Sequence, residues 1–401
     1  MIEWSDEDLM IRDAVRDWIE AKIRPNLDEL DSGELPPYDL IRDLYKTFGM
    51  DEMARSSFQA RIAKEKEGGE PTGDGRPGGG NAALSMLPVI ELCKVAPGIV
   101  SAMGVSFGLA AGTIMKRGTV EQKERWGLDL LTMDKIGAWA ITEAGSGSDA
   151  FGGMKATARR DGDDYVINGS KTFITNGPHA DTIVFYCKLD DGRDPRDREI
   201  LTFVLDRGMP GLEQSRPLRK MGLHSSPTGE LFLSDVRAGA DRLLASGSGG
   251  GKESARQNFV TERAGVAAMA LGVIEECLRL SVDYARQREL WGQRIGDFQL
   301  IQLKLAKMEV ARLNVQNLVF RHVEMSRAGR TPTLAEASAM KLYAAQAASE
   351  VAMEAVQLFG GNGYMSEYRV EQLARDAKSF QIYAGTDEIQ ITHIARDLLA
   401  G

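Results

Sequence analysis

Glu262 is a single carboxylate on a stripe that is otherwise almost wholly apolar. Steps of three and four give Phe259, Glu262, Val266, Met269, Val273, Cys277, Leu280 and Tyr284, the spacing of one helix face. The stripe predicts that Glu262 faces inward, while Arg263, one step along, points elsewhere. Asn258, Phe259, Gly265 and Val266, three and four positions away, include no base, so a local helix ion pair does not explain the carboxylate. An acid withdrawn from water is costly in its charged form, and its pKa climbs towards the range of a working proton acceptor. The bland alternative is a wet carboxylate near a frayed helix start.

Other candidate motifs fail on spacing or context. "GSGSDA", residues 145–150, spells G-x-G-x-x-A after the strand-like "AWAITE", but a dinucleotide fingerprint needs a helix next. The next residues are instead "FGGMKATARRDGDDYVINGSK", two strand-like runs around a turn. "GSGGGKES" resembles a phosphate loop, yet Ser246 stands where the first glycine belongs and Glu253 comes after the lysine; it reads as a flexible linker. His179, His224, His322 and His393 are far apart and form no paired metal-ligand spacing. No G-x-S-x-G elbow is present.

The elements that would position Glu262 follow from periodicity. Residues 5 to about 126 are helical in pattern, broken by "EGGEPTGDGRPGGGN" (67–81), which reads as a mobile loop. From about 137 to 240, β-branched runs alternate with turn signals ("KATARR", "DGDD", "YVI", "NGS", "KTFIT", "TIVFYCKL", "ILTFVL", "GELFLSDV"), the pattern of an antiparallel β-domain. After "ASGSGGGKES" the pattern is helical again, with a long helix from about Glu253 to Gln287 and others ending near Arg327, Phe359 and Leu399. The expected division is a helical domain at 1–136, a β-domain at 137–244 and a helical bundle at 245–401.

Composition bounds the partners. The chain has 401 residues, 43% apolar and 27% charged, with 49 basic against 58 acidic residues and a net charge of -9. That balance argues against nucleic acid or an anionic membrane as the main partner. Cys93, Cys187 and Cys277 are too few and too scattered for a disulfide scaffold or a metal knuckle. The acidic start "MIEWSDEDLM" is unlike a targeting peptide, and "VAAMALGVI" falls far short of the ~20 residues of a membrane span. A soluble protein of the cytoplasm is expected.

Five blocks occur in an order that resembles the acyl-CoA dehydrogenases: "AWAITEAGSGSDA", "INGSKTFITNG", "YARQRELWGQRIGDFQLIQLKLAKM", "AVQLFGGNGY" and "RDAKSFQIYAGTDEIQ". The resemblance spans roughly residues 100 to 400, while residues 50–98 depart from the family's usual pattern. It implies an N-terminal helical domain, a middle β-barrel and a C-terminal four-helix bundle. It also implies FAD, an acyl-CoA substrate, electron-transferring flavoprotein as acceptor, and a homotetramer. No metal is implied.

In many relatives the residue between Tyr383 and Gly385 is the glutamate that takes the substrate's α-proton; here it is Ala384. A subset of the family, including isovaleryl-CoA and long-chain acyl-CoA dehydrogenases, carries that glutamate on the long C-terminal helix before an arginine. "FVTERAG" puts Glu262 and Arg263 there. The reaction implied is α,β-dehydrogenation to the trans-2-enoyl-CoA, with Glu262 as base, flavin N5 as hydride acceptor and the Ala384 N–H retained as an oxyanion donor.

The flavin ring is flat and apolar with a polar edge, and suits short hydroxyls and backbone donors. By resemblance Trp139, Ile141, Thr142, Gly147, Ser148, Phe173 and Thr175 line it. Arg288, Trp291 and Gln299, with Gln357, Gly361, Thr386 and Glu388, contact FAD within or across subunits. Ser148, Arg263, Tyr383 and Gly385 fall on the substrate side. Phe173 stands where tryptophan is more usual, Trp291 where phenylalanine is common, and Val260 lacks a polar side chain found in some relatives. Two competing readings are a flavin-dependent monooxygenase on the same fold, which also lacks the glutamate at position 384, and a catalytically silent acyl-CoA-binding subunit.

Overall fold

The computed structural model describes residues 3–69, 82–244 and 250–400, except for the side chains of 82–84 and 250–257. The expected mobile loop, from position 70 on, and residues 245–249 of the linker lie outside these residues. The N-terminal part is helical, with helices Asp6–Trp18, Tyr38–Thr47, Met50–Lys66 and Ala82–Cys93. The first is started by a reciprocal cap, in which Ser5 Oγ accepts from the Asp8 N–H at 3.2 Å and Asp8 Oδ2 from the Ser5 N–H at 3.1 Å.

The helical run Pro97–Arg117 is long and apolar enough to cross a membrane by length and composition alone. Packing uses that apolar surface. Ile99 and Ala102 lie in the core shared with the C-terminal helices, whereas Ala110, Ala111 and Ile114 lie in a second core against the outer face of the sheet.

The middle of the chain is one curled sheet of seven strands: β1 (Gly137–Ala140), β2 (Thr157–Asp161), β3 (Asp164–Thr175), β4 (Thr182–Leu189), β5 (Ile200–Asp206), β6 (Leu212–Gln214) and β7 (Thr228–Gly239). Their order is β1-β4-β2-β3-β7-β6, with β5 also on β4. The expectation of an antiparallel domain needs correction, because β4 runs parallel to both β1 and β2. Turn signals report hairpins between sequence neighbours and carry no information about such distant pairings.

"NGS" is likewise no turn. Asn168, Gly169 and Ser170 lie inside β3 at a register shift against β7, where the Asn168 and Asp235 side chains bond across the strands at 2.9 Å. A second shift lies between Lys171 and Ile174, where Phe173 adopts φ 56°; such a bulge re-aims a side chain. β4 is buried on both faces, with Ile183, Phe185 and Cys187 inside the curl and Val184 and Tyr186 in the outer core.

The C-terminal part holds helices Gly250–Gln287, Gln299–Arg327, Leu334–Phe359, Val370–Ser379 and Asp387–Ala400. The first is central and packs against the 299–327, 334–359 and 82–93 helices. At Gly272 a Cβ would stand 2.2 Å from the Ile90 carbonyl oxygen, so glycine permits the close approach of the 82–93 helix. A helix enclosed this way has no single inner face: between Arg263 and Ile274 every residue but Gly265 is buried. The apolar stripe therefore marks only one of several buried sides.

Candidate active site

Arg263, one step along from Glu262, is only 2% exposed, more buried than Glu262 itself. Its Nη1 donates to Ser338 Oγ at 2.8 Å and meets His393 Nδ1 at 3.0 Å, while Nε reaches the Ala384 carbonyl at 3.4 Å. These contacts make it a tie between helices and the 383–386 loop. Burial pushes its pKa down to about 10 against the pull of Glu262.

Glu262 retains a strip of accessible surface but is otherwise ringed by protein. That burial pushes its carboxyl up to about 7 and outweighs the opposing positive charges of Arg263 and Lys341. One turn earlier, the Phe259 ring meets Trp139 of β1 edge to face at 6.2 Å. Two turns later, Met269 Sδ lies 3.5 Å from the Tyr383 hydroxyl. The helix thus sets Glu262 between the first strand of the sheet and the loop that carries Ala384.

The loop is a left-handed turn, with φ 55° at Ala384 and 87° at Gly385. At φ 87° the Gly385 backbone favours glycine, and a Cβ there would press on Gln390 Nε2 at 2.8 Å. Among the described residues, no acceptor takes the Ala384 N–H. A proton acceptor poised near neutrality beside an uncommitted backbone donor can remove a proton next to a carbonyl whose oxygen gathers charge.

On the sheet, Trp139 is half-buried and bonds through Nε1 to the Tyr186 hydroxyl at 3.2 Å. Ile141 is buried, Thr142 and Thr175 are half-buried, and Gly147 and Ser148 lie on an exposed turn. No helix comes after that turn, so "GSGSDA" is not a dinucleotide fingerprint. The turn is fastened from beneath by Glu143, whose carboxylate accepts from the Lys155 N–H (2.7 Å), the Ala156 N–H (2.9 Å) and Lys171 Nζ (2.9 Å). Phe173, at its bulge, is 68% exposed.

Arg288, Trp291, Gln299 and Gly361 meet at the far end of the central helix, in the wall of a pocket of about 910 Å³. Tyr284 stacks on Phe359 at 4.0 Å and joins the two helix ends that bring 288–299 to 360–362. Trp291 is 88% exposed at the tip of a two-residue hairpin turn, with φ 52° there and 77° at Gly292, a conformation disfavoured for tryptophan. The 299–327 helix opens at this pocket without a side-chain cap, and no carboxylate among the described residues pairs with Arg288. An unpaired guanidinium, an uncapped helix start and an exposed aromatic suit an anionic, ring-bearing group such as FAD.

Three expected contacts do not join that pocket wall. Gln357 is exposed on the last turn of its helix. Thr386 and Glu388 stand at the start of the C-terminal helix, where the Glu388 carboxyl is held below its ordinary value by its own backbone N–H and by the Thr386 hydroxyl.

Sequence reasoning missed Lys341 and Gln390. Lys341 is fully buried, donates to the Gly385 carbonyl at 2.8 Å, and is pushed down to about 8 by burial despite Asp387 nearby. It is a lone charge among Ala337, Ala344, Ala345 and Ala348, the same signal that singles out Glu262.

Three family models match the chain: "Acyl-CoA dehydrogenase, N-terminal domain" over residues 5–134, "middle domain" over 138–236 and "C-terminal domain" over 249–399. The first of these takes in residues 50–98, so the likeness reaches further than the sequence blocks indicate. A short-chain specific acyl-CoA dehydrogenase of Megasphaera elsdenii is 35% identical, over 94% of this chain and 93% of that protein. The caffeyl-CoA reductase-Etf complex subunit CarC of Acetobacterium woodii is 34% identical over 99% of each chain. Among solved structures, butyryl-CoA dehydrogenase of M. elsdenii superposes with a TM-score of 0.84 at 33% identity, over all of both chains. A glutaryl-CoA dehydrogenase of Mycobacterium smegmatis in complex with FADH2 gives 0.84 at 28% identity, covering 99% of this chain and 96% of that one.

Proposed function

We propose that this chain, which belongs to the acyl-CoA dehydrogenase family, uses Glu262 as the base of its reaction. The protein is an FAD-dependent oxidoreductase that dehydrogenates acyl-CoA thioesters. The observation that carries the role of Glu262 is its setting: an acid pushed up to about 7, on the helix face between Trp139 and the loop where position 384 is alanine.

In this reading Glu262 takes the α-proton of the thioester. The Ala384 N–H, oriented by the turn, donates to the thioester oxygen as negative charge grows there. Trp139, Phe173 and the 142–148 turn provide a face for the flavin ring, and Arg288 with the start of the 299–327 helix provides charge for its diphosphate. When bound, FAD supplies the two-electron acceptor for the hydride that leaves the β-carbon.

In this reading the chain falls with the relatives whose glutamate lies on the long helix. The exposed Arg288 and Trp291 rim fits a homotetramer in which FAD bridges subunits. The association of the CarC relative with Etf supports electron-transferring flavoprotein as acceptor. Fatty acid β-oxidation in the cytoplasm is the proposed setting.

The test is spectroscopic. Purified protein should be yellow and bleach anaerobically when a saturated acyl-CoA is added. Glu262→Gln should stay yellow, hold its FAD and fail to bleach; full bleaching by that variant refutes the assignment.

A further inference from the structure

Alanine resists the left-handed region that Ala384 occupies, and its neighbour Gly385 is left-handed too, so the turn depends on what grips it. Among the described residues, four hydrogen bonds end on the two carbonyls of this pair. The Ala384 oxygen accepts from Arg263 Nε (3.4 Å) and Gln390 Nε2 (3.0 Å). The Gly385 oxygen accepts from Gln390 Nε2 (2.7 Å) and Lys341 Nζ (2.8 Å). The donors come from three different helices.

Lys341 is the telling member. A buried lysine kept only for an ion pair would bond its carboxylate, yet Asp387 Oδ1 lies 3.7 Å away and the short bond goes to the loop carbonyl. Asp387 Oδ2 instead holds Gln346 (3.2 Å) and Gln381 (3.1 Å). We propose that Lys341 is a positioning residue, whose ammonium fixes the Gly385 carbonyl and through it the direction in which the Ala384 N–H is presented to the substrate. The inference rests on the oxyanion role given above to that N–H. Lys341 also places a positive charge near Glu262 and so favours the ionised base.

The experiment uses FAD-loaded holoenzyme and the saturated acyl-CoA that the wild type turns over fastest. Lys341→Met removes bond and charge; Lys341→Gln keeps a donor without charge. Misplacing a reacting contact by about 1 Å costs on the order of 10²-fold, so Lys341→Met should lose about that much kcat with FAD content unchanged and KM moved by far less. Lys341→Gln should recover much of the loss. In both variants the acidic limb of kcat/KM should move to higher pH, because the nearby cation is gone; a merely structural lysine would change yield without moving that limb.

Wild-type kcat in Lys341→Met, or equal damage in both variants, overturns the proposal. If Lys341→Met gives no folded holoenzyme, Gln390→Leu, which strips the other donor to the same carbonyl, should likewise lower kcat with FAD content unchanged but leave the acidic limb in place because it removes no charge; wild-type kcat in that variant overturns the proposal. Glu262→Gln measured alongside separates the two ideas. Should it be inactive while Lys341→Met is normal, only the positioning role fails; should it remain active, the base assignment fails.

Discussion

The two ends of the central helix are built on opposite principles. Around Glu262 and the 383–386 loop, this one chain supplies a closed set of partners: Arg263, Ser338, Lys341, Gln390 and His393 hold one another and two loop carbonyls. Around Arg288, the chain supplies a cation unpaired among the described residues, a tryptophan 88% exposed on a disfavoured turn, and an open pocket of about 910 Å³. The first end is finished before a ligand arrives; the second is shaped for something that must still be added. Proton transfer needs a preset pKa and fixed geometry, and only burial confers those. Cofactor binding needs accessible charge and surface.

Glu262→Gln should produce the largest effect. Loss of a general base costs about 10²- to 10⁴-fold, so kcat should fall in that range while bound FAD is retained. The pH profile sharpens the point. Since the carboxyl is pushed up to about 7, wild-type kcat/KM should decline as pH falls through about 7, where the base takes up its proton. The residual rate of the variant should lack that limb.

Next in size is Arg288→Ala. A hydrogen bond to a charged group contributes about 1.5–3 kcal/mol, so FAD should bind about 10- to 100-fold more weakly by titration of the apoprotein. With FAD saturating, the acidic limb should remain near 7. A shift of that limb by Arg288→Ala would break the contrast between the two ends.

The sequence was legible where physics is local. Helix ends near Gln287, Arg327 and Phe359 follow from periodicity broken by turn residues, and all three are the observed ends. Glu262 was legible because a lone acid on an apolar stripe is visible without knowing what surrounds it. The rest depended on distant partners. The parallel pairing of β4 with β1 joins residues 45 positions apart, and the burial of Arg263 arises because neighbouring helices enclose its side of the helix. Lys341 carried as plain a signal as Glu262, a lone charge in an alanine-rich helix, but its meaning needs the Gly385 carbonyl opposite, 44 positions on.

The smallest predicted effect has the opposite sign at the level of stability. Below about pH 4.5 the Glu262 carboxyl is protonated in both folded and unfolded chains and contributes nothing. Above that pH the unfolded chain releases the proton first, so stability is lost as pH rises towards about 7 and stays lost beyond it. The loss is at most about 3 kcal/mol from the size of the shift. Glu262→Gln escapes it, and should therefore melt a few degrees above the wild type near about pH 8, with the gap closing as pH falls towards about 5. Arg288→Ala, on an exposed site without a partner among the described residues, should leave the melting temperature of the apoprotein unchanged across the same range. If Glu262→Gln melts no higher at the alkaline end, the carboxylate is not held at a cost by its surroundings, and the division between a self-contained end that buries charge and an open one that exposes it does not stand.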